Sequence, residues 1–217
     1  PTPDCPPVRT TLLGEKLVAY RDTNGDIGLV DNYCPHRRAS LFFGRNEECG
    51  LRCVYHGWKF DKDGNCVDMP SEPAESNFKD KVKILAYPAR EWGGLIWAYM
   101  GPSEYIPELP NIDWATLPDS HRVISKRIQE SNWVQSVEGG IDSSHISFLH
   151  SGVTPYMRDN PDKASKPNLS TQDTSPKFTV DETDVGLLIG ARREVENDQS
   201  YVRITQMLLP FYTMIPG

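Results

Sequence analysis

The chain has 217 residues, enough for one large domain or two small ones, either with a real core. Its 38% hydrophobic and 24% charged residues are ordinary globular proportions, and a formal net charge of −7 argues against a nucleic-acid or anionic-membrane partner. No run approaches the roughly 18 apolar residues that span a bilayer, and no charged segment leads into an apolar secretion signal, so a cytoplasmic setting is the expectation.

The chain opens PTPDCPPVRT without a methionine and stops at FYTMIPG after a strand-like run, so both ends read as cut. From Val8 to about Met100 short apolar runs alternate with turn signals. LLGEKLVAYRD and IGLVDNYC flank Thr23-Asn24-Gly25-Asp26, and Asn-Gly between apolar runs is the strongest short hairpin signal. VYHGWKF and CVDMP flank Asp61-Lys62-Asp63-Gly64-Asn65 and predict a second hairpin, while KVKILAYPAREWGGLIWAYMG predicts two strands around Arg90 to Gly94. No helix-period stretch of any length interrupts this all-β segment. PSEYIPELPNIDWATLPDS, with four prolines, reads as a connector and places the domain boundary at residues 105 and 106. HRVISKRIQES then predicts a strand, and NWVQSVEGGIDSSHISFLH a helix. Thr154 to Pro176 reads as a polar loop, and KFTVDETDVGLLIGARREVENDQSYVRITQMLLPFYTMI as an antiparallel set. The fold class is therefore α+β: an all-β domain over 1–105, then the opening of a helix-plus-antiparallel-sheet domain over 106–217.

Five cysteines, an odd number without secretory context, suit metal ligation or free thiols better than a disulfide framework. Two loops each offer one Cys and one His: Cys34-x-His36 and, sixteen residues on, Cys53-x-x-His56. Buried thiols beside satisfied histidines, a zinc ribbon and an iron–sulfur site all use such residues. Structural zinc sites usually draw on paired cysteines or on a Cys pair followed by a His pair. A [2Fe–2S] centre with two thiolates on one iron and two imidazoles on the other needs the mixed pairing, if two loops pinch it from opposite sides. Imidazole in place of thiolate removes negative charge and raises the reduction potential, as in Rieske centres. Cys5, Cys49 and Cys66 have no partner in this pattern.

A second constellation, Asp142-x2-His145-x4-His150, offers two imidazoles and a carboxylate. Two histidines and one carboxylate on one face of an iron leave positions open for dioxygen and substrate. Asp142 and His145 share a helical face. His145 and His150, however, lie about 140° apart around a regular helix. Aiming both at one metal requires a helix end or a π-type distortion; Gly139 and Gly140 are consistent with such a weakness. The alternatives are histidines that merely cap or pack, an Asp142 that caps a helix N-terminus, and a Glu138 that is either a second acid near the site or a solvated helical charge.

Cys34-Pro35-His36-Arg37, Cys53-Val54-Tyr55-His56-Gly57-Trp58 and the Asp142–His150 motif together resemble the catalytic α subunit of the Rieske non-haem iron aromatic-ring-hydroxylating oxygenases. The text from Arg45 to Pro102 is most similar to the phthalate dioxygenase branch, which includes oxygenases acting on chlorobenzoates and phenoxybenzoates. The resemblance implies a Rieske [2Fe–2S] cluster on Cys34, His36, Cys53 and His56. It also implies a mononuclear iron on His145 and His150, with a third, carboxylate ligand beyond Gly217. Asp142 is then no ligand; it bridges His145 to His36 or His56 of another subunit, which demands a homo-oligomer, a trimer or stacked trimers. The implied reaction takes dioxygen and two NADH-derived electrons and cis-dihydroxylates an aromatic carboxylate such as phthalate. No Gly-rich βαβ fingerprint appears in the chain, so a separate NADH-dependent reductase supplies the electrons. A dianionic substrate calls for arginine; Arg192, Arg193 and Arg203 lie on predicted strands, with only one of Arg192 and Arg193 facing inward, and Arg158 is a weaker candidate. The competing readings are a Rieske monooxygenase with the same ligands, a Rieske-type electron carrier, and a degenerate structural subunit.

Overall fold

The computed structural model describes residues 2–150 and 169–216. The chain divides into two compact units, Pro1–Ser125 and Lys126–Gly217. Among the described residues no helix is long and apolar enough to cross a membrane.

In the first unit, β1 (Val8–Leu12), β2 (Glu15–Arg21) and β3 (Ile27–Asp31) form an antiparallel sheet in that order. The β2–β3 turn falls where the Asn-Gly signal places it, as a loop over Asp22 to Asp26. The Asp22 carboxylate accepts the N–H groups of Asn24 and Asp26, both at 2.9 Å, and Gly25 takes φ +89°. A second sheet joins β4 (Arg45–Glu47), β5 (Gly50–Arg52), β6 (Lys59–Phe60) and β7 (Cys66–Asp68). The hairpin β8 (Ala89–Trp92) and β9 (Leu95–Ala98) turns on Gly93 and Gly94. Val18, Val30, Leu41, Leu51 and Phe60 form the centre of the core, and Cys34, Cys53 and Trp58 belong to the same buried cluster. The two Cys/His loops are thus anchored in the most solvent-excluded part of the unit. Every helical turn described in this unit is 3-10, and none is an α-helix.

Two strand expectations fail here. Val54 to Trp58 do not extend β6, because this run closes on itself in a tight loop. The run from His121 to Ser131 carries β-formers but pairs with no described strand, leaving Val123 97% and Ile128 82% exposed. β-Propensity is expressed only where a sheet edge supplies the ladder partners.

Gly64, at φ +80°, closes the β6–β7 turn, where Asp61 Oδ1 accepts the N–H groups of Asp63 and Asn65. A Cβ at this position would lie 2.3 Å from the Ile84 carbonyl oxygen. Gly64→Ala is therefore expected to cost about 2–4 kcal/mol, from left-handed strain plus overlap with backbone. An unchanged urea midpoint for the variant would refute that assignment.

In the second unit, α1 (Trp133–Ile141) starts at Asn132, whose side chain accepts the Val134 N–H at 2.9 Å. α2 (Ile146–Leu149) and α3 (Leu169–Gln172) are single turns. The polar stretch expected to be a loop from Thr154 lies outside the described residues as far as 168. The antiparallel set is present as β10 (Lys177–Thr183), β11 (Gly186–Val195), β12 (Gln199–Leu208) and β13 (Tyr212–Met214), in that order. Strand alternation buries Ile189, Ala191, Arg193 and Thr205 on one face and exposes Arg192, Val202 and Ile204 on the other. Gly140 lets α1 approach this sheet closely, since a Cβ there would meet Thr213 Oγ1 at 2.9 Å. Its glycine serves close packing, and the helix ends one residue later.

Candidate metal centres

The two Cys/His loops share one backbone design. In the first, the Cys34 N–H donates to the Ala39 carbonyl at 2.9 Å and the Arg38 N–H returns to the Cys34 carbonyl at 2.9 Å. In the second, the Cys53 N–H donates to the Trp58 carbonyl at 2.8 Å and the Gly57 N–H returns to the Cys53 carbonyl at 3.0 Å. Each loop turns through a positive φ four residues after its cysteine, +59° at Arg38 and +79° at Gly57. Glycine is required at the second position, where a Cβ would press within 2.7 Å of Pro70.

These loops bring all four predicted residues together. Cys34 and Cys53 are 2% and 3% exposed, and their thiols are close enough to influence each other's ionisation. The His36 and His56 rings lie 4.4 Å apart between centroids. His36 stacks almost parallel on Trp58 at 4.6 Å, and the Trp58 indole N–H is held by Ser71 Oγ at 3.0 Å. Arg52 braces the second loop from beneath, donating to the Gly57 carbonyl and to Asp68, each at 2.7 Å.

Burial, reinforced by the neighbouring Cys53, pushes the Cys34 thiol up to about 11, despite the local backbone N–H groups that oppose it. Partial burial, with His56 and Arg37 alongside, holds His36 below the usual imidazole value and therefore neutral. A neutral imidazole is the metal-binding form, and a bound metal ion removes the thiol proton that burial otherwise retains. His36 Nδ1 is buried and has no hydrogen-bond partner among the described residues. Such an atom is costly unless something absent from the chain itself engages it. Among the described residues, no three Cys, His or acidic side chains converge on a single point, as one tetrahedral zinc would require. A two-iron cluster asks only for a sulfur pair and a nitrogen pair, and this donor set fits it.

The second constellation sits where α1 breaks. Asp142 leaves the helix with ψ 123°, and its carboxylate then gathers the following turn. Oδ1 accepts the Ser144 N–H at 2.8 Å, while Oδ2 accepts the His145 N–H at 3.1 Å and lies 3.0 Å from His145 Nδ1. Burial works to raise the Asp142 pKa, but these N–H groups and the His145 ring outweigh it and hold the carboxylate below its ordinary range. With Nδ1–H given to Asp142, the His145 Nε2 lone pair is left for a metal. His145 immediately precedes α2 and His150 immediately follows it, and their rings stand edge-on at 5.1 Å. The helix end that the five-residue spacing demanded is thus a single helical turn with one histidine at each end. Glu138 is exposed and only its carbonyl takes part, accepting the Asp142 N–H.

A cavity of about 390 Å³ opens beside these histidines, walled by Asp142, His145, His150, Arg203, Thr205 and Ile215. The three strand arginines part company here. Arg203 reaches the cavity, donating through Nη2 to the Pro216 carbonyl at 2.6 Å, and its buried Nε has no partner among the described residues. Arg192 points outward to Glu194 at 3.1 Å. Arg193 faces inward but not into the cavity, and its donors go to Ser143, Ser147 and Asp173. Arg158 lies outside the described residues. The roles of Trp58, Ser143 and Ser147 were missed from sequence, although Trp58 follows His56-Gly57 directly and the two serines flank His145 symmetrically.

Residues 2–87 match the Rieske [2Fe-2S] domain family, and residues 98–217 match the family described as LigXa C-terminal domain like. The phthalate 4,5-dioxygenase oxygenase subunit of Pseudomonas putida is 48% identical over 219 residues, covering 99% of this chain and 50% of that protein. The 3-chlorobenzoate-3,4-dioxygenase oxygenase subunit of Comamonas testosteroni is 45% identical over 210 residues, covering 97% of this chain and 48% of that protein. The chain therefore spans about half the length of these curated relatives. The solved terminal oxygenase of carbazole 1,9a-dioxygenase from Nocardioides aromaticivorans IC177 superposes with a TM-score of 0.68 at 21% identity, over 96% of this chain and 62% of that one, a likeness of fold alone. Two matched families in tandem, each over the unit that carries its own histidine-bearing loops, make the chain a member of the Rieske non-haem iron oxygenases, with a Rieske [2Fe–2S] cluster and a mononuclear iron as the family's cofactors.

Proposed function

We propose that the full-length protein is the terminal component of an aromatic-ring dioxygenase, and that it cis-dihydroxylates an aromatic carboxylate such as phthalate. One observation carries the substrate class: Arg203 lines the cavity that holds His145 and His150, and its buried Nε has no hydrogen-bond partner among the described residues. A buried cationic donor left unsatisfied is costly, and a planar carboxylate is the group that guanidinium engages best. The relatives named for phthalate and 3-chlorobenzoate, both aromatic carboxylates, support the same class.

In this reading Cys34, His36, Cys53 and His56 hold the Rieske cluster, while His145 and His150 hold the mononuclear iron with a carboxylate further along the full-length protein. Together the groups supply stepwise electrons and an open iron position for dioxygen. The chain's own residues prepare that chemistry. Asp142 fixes the His145 tautomer and bridges to His36 or His56 of a neighbouring subunit, within a homo-oligomer that is a trimer or stacked trimers. Arg203 orients the substrate ring by its carboxylate. A separate reductase passes electrons from NADH, and the assembly works in the cytoplasm. The functional boundary falls at residues 105 and 106, within the proline-rich connector.

Arg203→Gln is expected to raise KM for phthalate roughly 10- to 100-fold, the worth of one charge-assisted pair, with the iron content of both sites unchanged. An unaltered KM, or equal turnover of an uncharged ring of the same size, would remove the aromatic carboxylate from the reading.

A further inference from the structure

Arg193 heads the fully buried side chains by volume, at 0% exposure. Burying a guanidinium costs several kcal/mol before its bonds are counted, and a leucine or methionine would fill the same space without that penalty. None of its described hydrogen bonds goes to a carboxylate. Nε donates to the Asp173 carbonyl at 3.2 Å, Nη1 to Ser143 Oγ at 3.2 Å, and Nη2 to both the Ser143 carbonyl at 2.5 Å and Ser147 Oγ at 3.4 Å. Ser147 Oγ donates onward to the Ser170 carbonyl at 2.9 Å.

Ser143 lies two residues before His145 and Ser147 two residues after it. One planar group on β11 therefore grips the chain on both sides of that histidine. The grip matters because α2 has four residues, far below the length at which a helix is stable by itself. Asp142 fixes the turn of the His145 ring but does not reach past His145 itself, whereas the separation of His145 from His150 depends on where Ser147 sits.

We propose that Arg193 is a positioning residue for the mononuclear iron site. By holding Ser143 and Ser147 it sets the distance and angle between the His145 and His150 imidazoles. The proposal rests on the reading of those two histidines as iron ligands. It also separates Arg193 from Arg203, which occupies the same face of the sheet but meets the cavity. Lysine cannot substitute, since an ammonium lacks the fork that reaches both serines and Asp173 at once.

The test uses full-length protein, with Arg193→Lys and Ser147→Ala compared with the parent. Ferrous iron is removed by a chelator and titrated back, and nitric oxide is added as a spin probe of the mononuclear site. The Rieske signal of the reduced cluster serves as the control for folding. Arg193→Lys is expected to keep the Rieske signal, to bind ferrous iron roughly 10- to 100-fold more weakly, and to broaden or split the nitrosyl signal. Ser147→Ala, which leaves the arginine in place, shifts both readouts in the same direction by a smaller factor. It decides the matter if the lysine variant does not fold. Parent-like iron affinity together with a parent-like nitrosyl signal in the variants would overturn the positioning role. A parent protein that yields no nitrosyl signal would instead overturn the assignment of His145 and His150, and the proposal with it.

Discussion

His145→Ala in the full-length protein is expected to empty the mononuclear site and abolish product, while the Rieske cluster keeps its spectrum and its stoichiometry. The two sets of proposed ligands lie in separate compact units, so loss of one need not disturb the folding of the other. The His145 ring is also the one held by Asp142 at 3.0 Å, so its removal takes away both a proposed ligand and the anchor of the Asp142 carboxylate. The loss of activity should exceed the roughly 10- to 100-fold that outer partners of metal ligands are worth. His150→Ala should behave in the same way. Iron analysis paired with product detection checks both variants, and a variant that keeps both iron and turnover would show that the ligand assignment is wrong.

His36→Cys is the second large effect. It turns a Cys2His2 donor set into one with three thiolates, adding negative charge where a neutral imidazole stood. The reduction potential should fall toward the range near −400 mV of all-thiolate ferredoxins, from a Rieske range of about −150 to +300 mV. A drop of roughly 300 mV shifts a one-electron equilibrium by about five powers of ten, at about 59 mV each. The cluster would then accept electrons from the reductase poorly, and steady-state turnover would collapse even with the mononuclear iron in place. A redox titration followed by EPR measures the shift directly. An unchanged potential would mean that His36 is not bound to the cluster.

Much of the fold and of both centres was legible because the deciding signals are local. Asn24-Gly25 and Asp61 through Gly64 mark their turns locally, through N–H groups donated to the Asp22 and Asp61 carboxylates and through positive φ at the glycines. The Cys/His loops were legible by residue type and spacing, and the five-residue gap between His145 and His150 demanded the helix end that the single turn α2 provides, with one histidine at each end. What was not legible depends on partners distant in sequence. His121 to Ser131 has the composition of a strand but no described neighbour to pair with. Val54 to Trp58 has that composition too, yet the Cys53 N–H bonds back to Trp58 and closes the loop. Alternation on β11 opposes Arg192 to Arg193, but it cannot say what the inward arginine meets. Serines fifty and forty-six residues earlier in the chain, not the cavity, receive Arg193, and among the described arginines it is Arg203 on the next strand that meets the open space.

In the proposed function one protein carries both the electron relay and the iron that delivers dioxygen to an aromatic carboxylate. Full-length protein turning over phthalate with a suitable reductase and NADH under ¹⁸O₂ tests it most directly, with mass spectrometry counting the labelled oxygens in the product. The account predicts a dihydrodiol that carries two labels. A hydroxylated or demethylated product with one label would move the chain to the monooxygenases that use the same ligands. NADH consumption with no label entering phthalate or any other aromatic carboxylate would contradict the account.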